Sequence, residues 1–315
     1  MMGHVYLADA ENGQQIEGFY LLREAQSRIS SNGRPYLTAV VADASGEMDA
    51  KVWDYAGPVG PENVGNVIKL RGEISEYRGA LQLTIGRLRL AGEKDPWEPG
   101  ELVPVAPIDR QAALEEVRAL LESIGDQDYR RLALTIFDRR QEEFSNIPAG
   151  KSVHHSFLGG LLMHTADMLR AADFLAGLYS HVIDRSLLLT GVFLHDLMKA
   201  EEYLFSPLGI VTEYSVKGQL LGHPVMGARL AADTARELGL PEEKSVLLQH
   251  MILSHHGQPE FGAAVRPMCA EAELLSAIDA MDSRMEIYAD NLAAVKPGEF
   301  TQRIYVLEKR IYRHG

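Results

Sequence analysis

The stretch Leu194-His195-Asp196-Leu197-Met198-Lys199 decides the fold of most of this chain, and it directly follows an apolar run at 187–193. The pattern predicts a histidine and an aspartate in the middle of a buried helix. Packing alone would favour leucine there, because an imidazole and a carboxylate are costly to bury without a partner. A metal ion is the usual partner, so the stretch predicts a metal site inside a helical domain.

Further candidate ligands lie on both sides of this pair. In chain order the complete set is His164, His195, Asp196, His223, His255, His256 and Asp279. Each is predicted on a helix or at its end, whereas His154 and His155 precede the helix that contains His164 and are not expected to be ligands. Any one of these histidines alone is more often a packed core residue, but the ordered set favours a metal site.

The donor types restrict the kind of metal site. Imidazole and carboxylate without thiolate suit Mn, Fe, Co, Ni or Zn more than a cysteine-rich structural zinc site. A catalytic ion also keeps one position open for water, so this many donors exceed what one ion needs. We therefore expect two divalent ions.

The ordered pattern resembles the HD-domain superfamily of metal-dependent phosphohydrolases in its two-metal form. The resemblance implies that Asp196 bridges both ions, that His164, His195 and Asp279 complete the core, and that His223, His255 and His256 complete the second ion. It also implies that Lys199 meets a substrate phosphate. Met198 stands where glycine is frequent in the family, which leaves the ligands unaffected.

Composition restricts the class of protein. A chain of 315 residues has room for about two domains. Its single cysteine, Cys269, excludes an internal disulfide framework and is typical of a cytoplasmic protein. No apolar run is long enough to span a membrane. The net charge of −13 weakens a simple electrostatic case for nucleic-acid binding without excluding it.

Residues 1–93 read as a small domain of five short strands. The strands are predicted near 16–22, 35–43, 47–54, 67–74 and 81–88, separated by turn residues such as Asn32-Gly33, and they fit a Greek-key barrel. The run from Asn32 to Asp54 resembles the nucleic-acid-binding OB-fold, whose members stack bases on exposed aromatics beside positive charge. The candidate contacts are Arg34, Tyr36, Lys51, Trp53, Tyr55, Arg71, Tyr77 and Arg78. The alternative is that half of these aromatics belong to the barrel core.

The remaining chain is predicted to be helical after a proline-rich linker at 94–108. Residues 109–315 contain the HD domain, with its core at about 150–295, and Asp109 and Asp184 are predicted N-caps. One helix is predicted from Thr212 to Leu238, and the tail at 303–315 is predicted as a solvated helix rather than a nucleic-acid contact. Asp282 is expected to orient a ligand histidine. Arg266, in the loop at 257–267, is a candidate phosphate contact.

The domain order narrows the function. A β-barrel, a linker and an HD domain, with the motifs at 160–165 and 254–262, resemble the YhaM-like 3′-5′ exoribonucleases. That resemblance implies metal-activated water attacking single-stranded RNA, sometimes DNA, with Mn as the metal and a homo-oligomeric assembly. One alternative is an HD phosphohydrolase of small nucleotides or cyclic dinucleotides with a regulatory barrel. Another is a binding protein with a structural metal and no turnover.

Overall fold

The protein is described by a computed structural model that covers residues 4–92, 94–150, 157–206 and 208–315. The chain forms two compact units. The first comprises Met1–Val105 with Phe205–Thr212, and the second comprises Ala106–Leu204 with Glu213–Gly315. The domain boundaries drawn from the sequence remain a prediction, although Leu102 and Val103 of the expected linker are buried.

The first unit is a closed barrel of five strands. They are β1 (Gln15–Ile29), β2 (Pro35–Asp43), β3 (Gly46–Val52), β4 (Val67–Tyr77) and β5 (Ala80–Leu90). The barrel order is β1-β2-β3-β5-β4, with β3 and β5 parallel and the other pairs antiparallel. The predicted five-stranded OB-like barrel is therefore confirmed.

The barrel core follows from the alternation of apolar and polar residues in the strands. Leu22, Leu37, Ile68 and Leu83 are almost completely buried inside it. Burying one such side chain contributes about 1.5–3 kcal/mol, so the inward rows supply most of the stability. Gly72 sits at a bulge where a Cβ atom would lie 2.5 Å from the Thr84 carbonyl oxygen, so glycine permits the close strand approach.

The chain beyond the barrel is mostly helical. Its helices are α1 (Pro99–Leu102), α2 (Arg110–Glu122), α3 (Gln127–Asn146), α4 (Gly160–Leu178), α5 (Arg185–Leu194), α6 (Lys199–Glu202), α7 (Val216–Leu238), α8 (Glu242–Ser254) and α9 (Ala270–Ala293). A two-stranded sheet joins β6 (Tyr203–Phe205) and β7 (Val211–Tyr214). Among the described residues, no helix has the length and apolar character needed to cross a bilayer.

Helix caps agree well with the sequence. Asp109 and Asp184 each accept hydrogen bonds from two backbone N–H groups in the first turn of α2 and α5. Gly239 ends α7 with a φ of 69°, a left-handed conformation that glycine adopts at little cost. These short-range signals fix where the helices start and stop.

Three elements differ from the prediction. The His195-Asp196 pair lies just beyond α5, which ends at Leu194, and not in the middle of a helix. Thr212 belongs to β7, so the following helix starts four residues later than predicted. The tail at 303–315 contains no helix and folds back on itself through backbone bridges.

Candidate metal centre and nucleic-acid interface

Asp196 is the centre of the site, and its two carboxylate oxygens face different histidines. Its Oδ1 lies 3.2 Å from Nε2 of His223 and 3.7 Å from Nε2 of His255. Its Oδ2 lies 3.4 Å from Nε2 of His195 and 3.7 Å from Nε2 of His164. One carboxylate thus stands between two sets of imidazole nitrogens, which is the placement that a bridging ligand requires.

Two groups of side chains in the described chain have donor atoms within 4.8 Å of one another. The first is His164, His195 and Asp196, and the second is His223, His255 and His256. Asp279 joins the first group, because its Oδ1 lies 3.5 Å from Nε2 of His164. The fold therefore brings together all seven residues singled out in the sequence, whereas His154 and His155 lie outside the described residues.

Several buried polar atoms at this site have no hydrogen-bond partner. They are Nε2 of His195, His223 and His255, Nδ1 of His256 and Oδ1 of Asp196. Buried polar atoms are nearly always satisfied in folded proteins, and leaving one unpaired costs about 1–3 kcal/mol. Imidazole nitrogens and carboxylate oxygens that converge without partners fit divalent metal ions, which would compensate these groups.

Two of the histidines are oriented by the helices that they follow. His195 donates from Nδ1 to the Val192 carbonyl at 2.7 Å, and His255 does the same to the Ile252 carbonyl at 2.6 Å. Each bond uses the proton on Nδ1 and turns Nε2 towards the site. The ends of α5 and α8 therefore direct two Nε2 atoms at the same point.

His223 is held by Glu202, which the sequence analysis did not identify. Glu202 accepts one hydrogen bond from Nδ1 of His223 at 2.9 Å and another from the His223 backbone N–H at 3.0 Å. Burial disfavours the carboxylate charge, but these contacts outweigh it and hold the pKa of Glu202 below its usual value. Gly218 allows the close packing, since a Cβ atom there would lie 2.1 Å from the Glu202 carbonyl oxygen.

His164 is held by Asp282, as predicted. Its Nδ1 donates to Asp282 Oδ2 at 2.6 Å. Burial lowers the pKa of His164, but the nearby carboxylates of Asp279 and Asp282 outweigh burial and raise it to about 9. Without metal, this imidazole therefore carries a proton at neutral pH.

The other ionisable groups of the site have shifted pKa values, and their charges favour the binding of cations and phosphate. Lys199 donates to Asp196 Oδ2 at 2.5 Å, and this carboxylate outweighs the effect of burial and raises the lysine pKa. Burial also raises the Asp196 pKa, but Lys199 and the histidines hold it well below the usual value. Burial and neighbouring imidazoles lower the pKa of His255 and His256, so both are neutral at pH 7.

Five of the candidate nucleic-acid contacts cluster on the barrel. Tyr36 of β2 stacks against Trp53 with ring centroids 5.1 Å apart, and Lys51 of β3 lies 5.6 Å from the Trp53 ring and 5.1 Å from the Tyr77 ring. Arg78 lies 5.2 Å from the same Tyr77 ring. Trp53 and Tyr77 are each 52% exposed, so about half of each side chain is accessible to solvent.

The remaining candidate contacts lie outside this cluster. Arg71 lines a separate surface cavity with Arg87 and Thr84. Tyr55 packs against the barrel core and accepts from the Val59 N–H at 3.0 Å, so its role is structural. Arg34 is exposed and pairs with Asp54 at 3.0 Å. In the helical unit, Arg266 is exposed and is not among the described residues that line the cleft beside the metal ligands.

Known proteins resemble both units. The HD domain model matches residues 161–284. The 3′-5′ exoribonuclease YhaM of Geobacillus sp. (strain WCH70) is 37% identical in an alignment of 308 positions, which covers 96% of this chain and 92% of that protein. The second OB-fold domain of replication protein A from Methanococcus maripaludis is 9% identical, with 30% of this chain and 98% of that chain covered and a TM-score of 0.22. The OB domain of Ta0387 from Thermoplasma acidophilum is 13% identical, with 30% and 92% covered and a TM-score of 0.23.

The match to the Geobacillus protein extends over almost the full length of both chains. It includes the barrel and all seven candidate ligands, which lie between positions 164 and 279. This chain belongs to the YhaM family of 3′-5′ exoribonucleases.

Proposed function

We propose that this protein is a metal-dependent hydrolase that shortens single-stranded RNA from its 3′ end. The observation that carries the proposal is the placement of Asp196, whose two oxygens face two separate sets of buried histidines. That arrangement suits a two-metal phosphodiesterase, and the family supplies the class of substrate.

Seven residues would hold two divalent ions, and we propose Mn as the metal. Asp196 would bridge the ions, with His164, His195 and Asp279 on one side and His223, His255 and His256 on the other. Fe, Co, Ni and Zn suit the same donors. When bound, such ions lower the pKa of water and neutralise phosphate charge.

The protein's own residues prepare the site for a phosphodiester. Lys199 stays protonated beside Asp196 and would place a positive charge where a phosphate gains negative charge. Glu202 and Asp282 hold His223 and His164 in the orientation that directs Nε2 inward. The burial of Asp196, His195 and His223 strengthens these charge interactions relative to those in bulk water.

The barrel would hold the RNA strand. OB-folds bind oligonucleotides on the face of strands 2 and 3 and through the loops between strands 1 and 2 and strands 4 and 5. Tyr36 and Lys51 lie on β2 and β3, and Trp53 directly follows β3. Tyr77 ends β4 and Arg78 lies in the β4–β5 turn, so the group offers aromatic rings beside positive charge at these elements. Arg71 and Arg266 stay candidate phosphate contacts. We further propose that the protein acts on single-stranded DNA as well as RNA, works in the cytoplasm and assembles as a homo-oligomer.

The test is incubation of the Mn-loaded protein with a 5′-labelled single-stranded RNA. A ladder that shortens from the 3′ end is expected for the wild type and for the control Asp290→Ala, which changes an exposed residue of α9. Asp196→Ala should abolish the ladder while RNA binding persists. Intact RNA under Mn, Fe, Co, Ni and Zn would refute the proposal, and hydrolysis of mononucleotides or cyclic dinucleotides instead would favour the alternative phosphohydrolase.

A further inference from the structure

The C-terminal tail forms part of the cleft that contains the metal ligands. This cleft has a volume of about 830 Å³, and His255, His256 and Asp279 line it together with residues 306–309 of the tail. Tyr288 of α9 lines it as well, and Lys309 lies 5.5 Å from the Tyr288 ring. Tyr288 follows Asp279 by nine residues, which places it about 13 Å farther along the helix. The cleft therefore continues well past the metal ligands.

Hydrogen bonds hold the C-terminal tail against the end of α9, so the tail forms a fixed side of the cleft. Arg313 donates from its side chain to the carbonyls of Leu292 at 3.1 Å and Val295 at 2.5 Å, which ties the tail to the end of α9. Backbone hydrogen bonds join its two arms, with Gly298 donating to Arg313, Arg313 to Glu299, Thr301 to Ile311 and Ile304 to Lys309. The turn between the arms is the part that lines the cleft.

Farther from the metal ligands, the cleft is lined by apolar and charged side chains instead of histidines. Three apolar side chains that line it are unusually exposed, namely Phe261 at 75%, Met285 at 55% and Val306 at 58%. Because all three line the same cleft, they form a group rather than scattered surface residues, and grouped exposed apolar side chains are typical of binding surfaces. Arg284 and Lys309 add positive charge, and Glu308 adds a hydrogen-bond acceptor on the same turn.

We propose that this part of the cleft binds the ribose and base of the 3′-terminal nucleotide, an inference that rests on the proposed exonuclease function. The phosphate would lie at the metal ligands, and the base would stack on Phe261 or Tyr288. The carboxylate of Glu308 suits ribose hydroxyls and disfavours a second phosphate. Lys309 would place its charge next to the bound nucleotide. The tail thereby helps to select a nucleotide rather than a bare phosphate.

The experiment compares two small probes that differ only in the base. Calorimetry with the Mn-loaded full-length protein measures the dissociation constants of AMP and ribose 5-phosphate. We expect AMP to bind about tenfold more tightly to the wild type, because stacking of one base typically contributes that much or more. Phe261→Ala or Tyr288→Ala, whichever removes the stacking ring, should lower the preference to about twofold or less.

The control is Lys296→Ala, which removes an exposed lysine before the tail and outside the residues given for this cleft, and it should keep the wild-type preference. Equal binding of AMP and ribose 5-phosphate by the wild type would overturn the inference, as would an unchanged preference in both variants at wild-type melting temperature. The binding experiment does not need RNA hydrolysis. A base preference without RNA shortening would refute the proposed function alone, and RNA shortening without a base preference would refute this inference alone.

Discussion

Replacing Glu202 with glutamine tests whether the carboxylate behind His223 sets metal affinity. The wild-type carboxylate uses both oxygens, one for the Nδ1–H of His223 at 2.9 Å and one for its backbone N–H at 3.0 Å. A glutamine offers one oxygen and one NH2 group, so one of the two donors must lose its acceptor or face another donor. If the imidazole changes its tautomer to adapt, the proton moves to Nε2 and blocks the metal-binding atom.

The magnitude follows from the burial of these groups. Glu202 is 6% exposed and His223 is also 6% exposed, so water cannot replace the lost acceptor. A hydrogen bond to a charged group contributes about 1.5–3 kcal/mol, which corresponds to about a 10- to 150-fold change in affinity. We therefore expect the dissociation constant for one Mn equivalent to rise by about 10- to 100-fold.

The assay is calorimetric titration of the metal-free protein with Mn, and Glu201→Gln is the matched control. Glu201 is the adjacent residue of α6, but its carboxylate accepts from Arg140 at 2.6 Å and Lys217 at 3.2 Å instead of from a ligand histidine. The control should bind Mn as the wild type does. Equal Mn affinity in Glu202→Gln and Glu201→Gln would show that the reasoning about His223 is wrong.

Three further predictions concern proton release on metal binding, RNA binding and the stability of the barrel core. Because His164 has a pKa of about 9 in the metal-free site, Mn binding should release a proton below that pH. The affinity for Mn should therefore fall by up to tenfold per pH unit as the pH drops from 8.5 to 7. Calorimetry in buffers of different ionisation enthalpy counts the released protons, and no release would contradict the raised pKa of His164. Trp53→Ala should weaken binding of single-stranded RNA by about tenfold in a fluorescence assay. The control Trp97→Ala changes the other tryptophan, which lies between β5 and α1, and should leave binding unchanged; equal loss in both variants would exclude stacking of a base on Trp53. Leu83→Ala should lower the free energy of unfolding by about 2–5 kcal/mol in a urea titration, because Leu83 is completely buried in the barrel; a loss below about 1 kcal/mol would place it outside the core.

The residues that converge on the proposed metal site could be read from the sequence because metal ligands must be particular residue types. Their order and their positions near helix ends were enough to assemble all seven. Asp282 was also predictable, since it lies one helical turn after Asp279 on the same face. The five-stranded barrel was predictable from alternation and turn residues, which act over short stretches of chain.

The parts that sequence missed depend on contacts between distant segments. Glu202 looks like one more acid at the end of a charged helix, and only the packing of α6 against α7 at Gly218 shows that it holds His223. The tail at 303–315 has helical composition, but Arg313 and the backbone bridges pull it into a folded-back segment. Arg71 and Tyr36 seemed equivalent as candidates because a linear pattern does not show which barrel surface each residue faces.

The seven proposed metal ligands come from five helices, α4, α5, α7, α8 and α9, or from the residues just after them. Ions held by all of them would tie the helices together as crosslinks do, by reducing the conformational freedom of the unfolded chain. A chain with a single cysteine cannot build an internal disulfide for this purpose. Removing the ions would also leave buried donors uncompensated, so chelation weakens the folded state in two ways. The supply of metal would then govern how long the helical unit resists proteolysis, as well as how fast it works.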